Sequence, residues 1–520
     1  MDMGAQNNRF KKTENMIDLE KNREQLQFDI DKSKSIDERR KVGQFATPFA
    51  LAREIMSYGL ELLNKNAVSF LEPSLGTGAF YSALVQETKF TDIAIEKATG
   101  IEIDALYFNA AKSLWCNNSL KIYDADFTHL SPDGKYNFLI ANPPYVRHHC
   151  ISHEEKKYLC DCVKQETGID VSGLAGLYCY FLLLSHKWLA PGAVCGWLIP
   201  SEFMDVNYGL AVKKYLLNNV HLLRIHRYNP DNSKFDDALV SSCVVWFKNE
   251  VLNDDYDIEF SYDGTHKSPL KSKTLKKTVL LSERKWTRFP EKEIRINEKN
   301  ITTIGDYFTI KRGLATGDNH FFIFDREKVE KLGLDMSFFK PVLPSPRNLK
   351  IDCVETDTDG NPKLEKQYYL LDCRLSEKEV HEKYPDLWNY LQSGVLETGS
   401  KYICRNRKTW YFQEQRQATR FLCSYMGRGN KNKSPIRFIL NLSNAIATNS
   451  YIMLYPKERL QQAISNNPDI VFQIWKELKT IAVNEIEDEA RVYGGDLKKI
   501  EPKELAKVSC KGLFESCNIL

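Results

Sequence analysis

From Val42 to about Phe247, short apolar runs alternate with longer stretches of helical periodicity. The apolar runs predict strands at Val68–Leu71, Thr99–Ile103, Leu120–Tyr123, Tyr136–Ile140, Ala193–Ile199, His221–Ile225 and Cys243–Phe247. Between them, helices are expected at Ala79–Thr88, Leu106–Trp115 and Leu174–Trp188. Strands alternating with helices imply crossover units and an α/β, doubly wound, Rossmann-like parallel sheet. Right-handed crossovers then put the strand C-termini, and so the ligand crevice, on one edge. The first forty residues are polar with few apolar anchors and read as a frayed or helical arm. Residues 249–300 are charged and read as a hairpin leading into a linker, bounded here as 261–300. Beyond them the texture turns to short strands (Phe321–Phe324, Arg437–Leu440, Tyr451–Tyr455), turns, and a helix near Asp469–Val483. The expected organisation is an arm (1–40), an α/β domain (41–260), a linker (261–300) and a mixed α+β domain (301–520).

With 520 residues, 42% hydrophobic and 27% charged, the chain excludes a disordered or fibrous class. The apolar stretch Leu177–Leu184 falls far short of the ~20 residues that span a bilayer, and charges stand where a signal peptide would be apolar. Thirteen scattered cysteines read as reduced thiols, and a cytoplasmic location is expected. The net charge of +3 conceals an asymmetry. Residues 401–440 hold ten Lys/Arg against one acid, Glu414, while the other 480 residues hold 62 basic and 68 acidic groups. Aromatic residues interleave with those cations, a composition suited to phosphates and bases.

Four turns carry chemistry, each at a strand end. Glu72-Pro73-Ser74-Leu75-Gly76-Thr77-Gly78 follows the first strand; its glycines let backbone approach a ligand closely. Tyr81 stands where a dinucleotide fingerprint needs a third glycine, and no Gly-Lys-Ser/Thr follows to make a P-loop. Glu102-Ile103-Asp104 ends the second strand, where an acid can accept from ribose hydroxyls and Asp104 can cap a helix. Asp124-Ala125-Asp126-Phe127 ends the third, placing an acid and an aromatic ring together. The fourth turn, Asn142-Pro143-Pro144-Tyr145, follows an apolar strand. Its prolines stiffen the backbone, so that an amide oxygen and a carbonyl can grip a planar amino group beside an aromatic face. His148, His149, Cys150, His153, Cys160 and Cys162 are ligand types without a zinc spacing, so no metal is expected.

With these motifs in order, the chain resembles the S-adenosyl-L-methionine-dependent DNA adenine-N6 methyltransferases. The matching subgroup, gamma, orders cofactor region, catalytic region and target-recognition domain. The resemblance implies cofactor contacts from Thr47-Pro48, Glu72, Pro73, Gly76, Gly78, Glu102, Ile103, Asp126, Phe127 and Asn142. It implies catalysis by Asn142 to Tyr145, with Tyr145 and Phe235 packing on an extruded base; the family's Pro after that Phe is here Asp236. Lys311–Asn319 is similar to the loop that opens a target-recognition domain, and Arg437–Asn441 and Ala447–Ser450 to its later strands. The DNA-binding set is Arg312, Arg405, Arg407, Lys408, Arg416, Arg420, Arg428, Lys431, Lys433 and Arg437. Its implied partners are double-stranded DNA with a short recognition sequence and a separate restriction endonuclease; no membrane is involved. Enzymes resembling the protein-glutamine methyltransferases carry the same four-residue turn, RNA adenine is another alternative acceptor, and a DNA-binding scaffold with an inactive fold is the non-enzyme alternative.

Overall fold

A nine-stranded sheet organises the first half of the chain. The computed structural model describes residues 3–89, 91–116, 118–229, 241–290, 302–428, 434–481, 483–493 and 497–510. They fall into two compact units, Met1–Ile294 and Arg295–Leu520. In the first unit the elements run α1 (Met3–Ser33), α2 (Ile36–Lys41), α3 (Phe49–Leu63), β1 (Ala67–Glu72), α4 (Ala79–Thr88), β2 (Ala94–Glu102), α5 (Ala105–Trp115) and β3 (Leu120–Asp124). They continue with β4 (Tyr136–Ala141), α6 (His153–Thr167), α7 (Leu177–Leu184), β5 (Leu189–Pro200), α8 (Leu210–Asn218), β6 (His221–Arg227), β7 (Ser242–Lys248), β8 (Asp257–Gly264), β9 (Pro269–Lys276) and α9 (Lys277–Ser282).

The sheet order is β3-β2-β1-β4-β5-β7-β6-β8-β9. The first five strands are parallel, as the alternating pattern predicts. The rest is mixed: β7 lies antiparallel to both β5 and β6, and β9 to β8. Central strands are buried on both faces. Val244 and Trp246 of β7 join the core under α3 and α4, whereas Cys243, Val245 and Phe247 join the core under α7 and α8. Each large apolar side chain buried this way contributes roughly 1.5–3 kcal/mol.

One expected boundary needs correction. The hairpin expected in 249–300 is β8 and β9, but the linker drawn from 261 starts too early, because β9 and α9 run on from Pro269 to Ser282. The apolar positions Ile258, Phe260, Leu275 and Leu280, spaced among charged residues, lie in the core. Of the two forms expected for the amino-terminal arm it takes the helical one, and two of its charged residues, Glu20 and Arg23, are buried.

The second unit is mixed α+β. Its five-stranded sheet has the order β10 (Phe308–Arg312), β18 (Tyr451–Pro456), β15 (Phe421–Ser424), β17 (Phe438–Asn441), β13 (Cys353–Val354). Smaller sheets join β11 (Ile323–Asp325), β14 (Tyr368–Leu371) and β12 (Phe339–Val342), and β16 (Met426–Arg428), β20 (Leu497–Lys499) and β19 (Arg491–Tyr493). Helix Ile470–Thr480 buries Val471, Ile474 and Leu478, one stripe at helical spacing. The run expected as a strand at Phe321–Phe324 is instead a short helix, Asn319–Phe322, leading into β11. Asp318 caps that helix through Oδ1, which accepts from the His320 and Phe321 N–H groups.

Candidate active site

Parallel strands deliver the chemistry to one edge. β1 ends at Glu72 and β2 at Glu102, with Glu72 registered on Gly100 and Glu102 on Asp124; β4 ends one residue before Asn142. This edge borders a cavity of about 510 Å³, a size suited to a small-molecule cofactor. Thr47, Glu72, Pro73, Gly76, Glu102, Ile103, Asp126, Phe127 and Asn142 all line it. Pro48 and Gly78, from the same expected set, are not among the lining residues.

The glycine turn is fixed by the neighbouring strand. Gly76 N–H donates to Glu102 Oε2 at 2.7 Å, and Asp104 N–H to Glu102 Oε1 at 2.8 Å. Gly78 has φ +87°, and a Cβ there would stand 2.6 Å from the Trp115 ring nitrogen. That nitrogen donates to the Thr77 carbonyl at 3.0 Å, so α4 starts in direct contact with α5. Glu72 is 1% exposed. Burial pushes its carboxyl well above the usual range, outweighing the Tyr81 and Phe80 N–H groups and nearby Arg23. Burial raises Glu102 as well. Asp104 caps α5, and Lys34 and Gln44 hold its carboxyl low against the upward pull of burial. Asp126 Oδ1 accepts from Thr128 N–H at 2.8 Å, closing a short turn. The Phe127 ring packs between Phe181 and Trp188, at 5.2 and 5.6 Å between centroids, so it is anchored in the core while lining the cavity.

The Asn-Pro-Pro-Tyr turn is clamped by the segment before α3. Asn142 Nδ2 donates to the Phe45 carbonyl and to Thr47 Oγ1, each at 3.0 Å. A carbonyl can only accept, so the amide's orientation is settled: nitrogen toward Phe45, oxygen away. That oxygen, Asn142 Oδ1, is buried and has no hydrogen-bond partner among the described residues. Among the described residues, nothing donates to the Pro143 carbonyl either. Tyr145 N–H donates to Gly43 O at 3.1 Å, and its hydroxyl donates to Leu198 O at 3.1 Å. Its ring, part-exposed, stands 5.7 Å from Phe45 and 6.4 Å from Tyr178. An unpaired acceptor in a buried, cavity-lining position costs about 1–3 kcal/mol unless a ligand donor meets it.

Residues 57–235 match the family described as Eco57I restriction-modification methylase, and residues 281–517 match the C-terminal domain of Type II methyltransferase M.Eco57I. The chain belongs to this family of restriction-modification methylases. The Type II methyltransferase M.AccI of Acinetobacter calcoaceticus is 28% identical, over 93% of this chain and 87% of the relative. M.XamI of Xanthomonas campestris pv. amaranthicola is 23% identical over 91% and 86%. A tRNA1(Val) (adenine(37)-N6)-methyltransferase of Glaesserella parasuis is 26% identical over 31% of this chain and 60% of its own length.

The methylase cavity has a wall that sequence reasoning missed. Arg23, Gln27 and Asp31 of α1 line it. Asp31 accepts from the Tyr107 hydroxyl at 2.6 Å, and Lys34 pairs with Asp104. Positions 20, 23, 27 and 31 share one helical face, but they are polar, and nothing local in the sequence marks a polar face as one that is covered.

The basic set in the methylase's second unit divides. Arg405, Lys408, Arg420 and Arg428 are exposed. Arg437 is half-buried and engaged within the unit: it pairs with Asp352 at 2.7 Å and donates to the carbonyls of Pro346, Leu349 and Ile351. Arg407, also half-buried, donates to the Ala315 and Thr316 carbonyls at 2.8 and 2.9 Å. Arg416 pairs with Glu414, and Arg312 lies 3.8 Å over the Tyr425 ring. Tyr411, Phe421 and Tyr425 are buried, so these interleaved aromatics fill the core and are not open to bases. Gly313–Leu314 and the Ala447–Tyr451 segment, expected as separate recognition elements, are hydrogen-bonded to each other. Phe235, Lys431 and Lys433 lie outside the described residues. Among the described residues, Glu54, His226 and His266 bring ligand-type atoms within 4.8 Å of one another, whereas the His148–Cys162 residues form no such group. Also among the described residues, no helix is long and apolar enough to cross a membrane.

Proposed function

We propose that this chain transfers a methyl group to the N6 amino group of adenine in double-stranded DNA, at a short recognition sequence. Family membership makes it a DNA methyltransferase of the restriction-modification kind with S-adenosyl-L-methionine as cofactor. That the target is an exocyclic amine rests on one observation above all: Asn142 Oδ1 at the cavity wall is buried and, among the described residues, without a hydrogen-bond partner. The C–H of a cytosine ring carbon is no useful donor to such an acceptor, whereas an exocyclic amine, adenine N6 or cytosine N4, has two N–H groups to give. The adenine-N6 activity in the name of the tRNA-methylating relative supports the choice of adenine.

The residues fit the cofactor. Glycines admit close backbone approach at the turn, and acids line the wall from Glu72 to Asp126. When bound, the cofactor supplies an electrophilic methyl on a sulfonium. Asn142 Oδ1 accepts one N–H of the amine, and the Pro143 carbonyl accepts the other. Together they localise a lone pair otherwise delocalised into the ring and stabilise the positive charge that develops on nitrogen. Pro144 stiffens the turn and Tyr145 offers its ring to the base. The base must first leave the duplex, at a cost of a few kcal/mol that aromatic contacts offset. In the gamma arrangement, residues 301–520 form the target-recognition domain, and the biological partner is a separate endonuclease cutting the same site.

The test is methyl transfer from tritiated cofactor to duplex DNA, followed by nucleoside digestion. N6-methyladenosine carrying a deoxyribose is the expected product. Label in cytosine, in RNA only, or in a release-factor-type protein would replace the adenine-DNA reading.

A further inference from the structure

The cavity is lined by five carboxylates, Asp31, Glu72, Glu102, Asp104 and Asp126, and by two cations, Arg23 and Lys41. Lys41 is exposed; Arg23 is 3% exposed. A ligand carboxylate entering such a cavity meets repulsion along most of the wall and one buried cation.

Arg23 is held for this purpose from two directions. Its Nε donates to Glu20 at 2.9 Å, and its Nη2 to the same carboxylate at 2.6 Å. Its Nη1 donates to Thr77 Oγ1 at 2.8 Å, inside the glycine turn. Thr77 in turn donates to Gln27 Oε1 at 2.8 Å, and Ser82 of α4 donates to Glu20. Guanidinium carries five N–H donors in a rigid fork. Among the described residues, one N–H on Nη1 and one on Nη2 are unspent. The pair Glu20–Arg23 compensates its own burial, so the fork is preorganised rather than recruited on binding.

We infer that Arg23, from the amino-terminal helix, receives the α-carboxylate of S-adenosyl-L-methionine, with Glu72 serving the neighbouring ammonium. A zwitterionic head needs one group of each sign close together, and Arg23 lies near enough to Glu72 to act on its ionisation. The inference rests on the cofactor reading and assigns a binding role to a segment outside the residues matched by either family model.

The experiment is titration calorimetry on the full chain, with S-adenosyl-L-methionine and with its decarboxylated analogue, for wild type and Arg23→Gln. Wild type is expected to prefer the carboxylate-bearing cofactor by tenfold or more, and Arg23→Gln to erase that preference while binding the analogue as wild type does. Equal weakening toward both ligands would make Arg23 a structural support and overturn the assignment, as would a preference left intact. Should Arg23→Gln fail to fold, Arg23→Lys decides: it keeps charge but loses the fork, and an undiminished preference there overturns the assignment. Wild type binding neither ligand would instead remove the cofactor reading.

Discussion

Asn142 holds its amide oxygen free because both of its amide hydrogens are spent, on Phe45 O and Thr47 Oγ1. Exchanging Asn142 for Ala therefore deletes the acceptor and leaves the cavity's other walls in place. The expected result is a loss of about 100- to 1,000-fold in single-turnover methyl transfer, with cofactor affinity changed little by comparison. Glu72 carries a different prediction. Its folded-state proton affinity exceeds that of the unfolded chain, because burial dominates. Its contribution to stability is thus fully present below the ordinary carboxylate range and is lost as pH rises through the raised folded value. Glu72→Gln cannot lose a proton. Its melting temperature, measured without cofactor, should exceed that of wild type near pH 8 and approach it near pH 5. A constant offset across that range would contradict the assigned cause.

Between residues and domains, the turn at 142–145 depends on the segment that precedes α3. Gly43 has φ +68°, and a Cβ there would stand 2.4 Å from Tyr145 N. Only glycine lets the two backbones meet at that distance, and the meeting is what seats Tyr145 N–H on Gly43 O. Gly43→Ala must displace one strand of chain or the other. It should cost about 1–3 kcal/mol in denaturant unfolding and, through a displacement of ~1 Å at the reacting groups, around 100-fold in turnover. Unchanged turnover with lowered stability would separate the clamp from catalysis. The glycine turn, the acids after β2 and β3 and the catalytic turn were legible in sequence, because each is local and follows an apolar strand. The α1 wall was not, because its partners lie 54 residues away at Thr77 and 76 away at Tyr107.

For the whole molecule, the positive charge at 401–440 is the most visible asymmetry in composition, yet the fold uses that charge in two ways. Arg437 and Arg407 knit loops together, while Arg405 and Lys408 stand exposed. Replacing Arg405 and Lys408 together by Ala should leave unfolding unchanged and flatten the salt dependence of DNA binding, by about 0.9 in log–log slope for each phosphate no longer neutralised. Arg437→Ala should act in the opposite sense, lowering stability by about 2 kcal/mol because it removes the donor shared by the Pro346, Leu349 and Ile351 carbonyls. Competition binding at several salt concentrations, alongside melting curves, distinguishes these effects. A steeper salt loss in Arg437→Ala than in the double variant would reverse the division proposed for them.

By itself the sequence determined that a parallel α/β sheet would present Glu72, Glu102, Asp126 and Asn142 along one edge, since strand periodicity and turn residues are properties of neighbours in the chain. Tertiary structure alone decided that a polar helix closes the cavity and which arginines tie loops together. The physical reason is the same in each instance. Apolar burial leaves a periodic trace in sequence, whereas a polar group is buried only where a distant partner satisfies it, and that partner becomes known when the chain is folded.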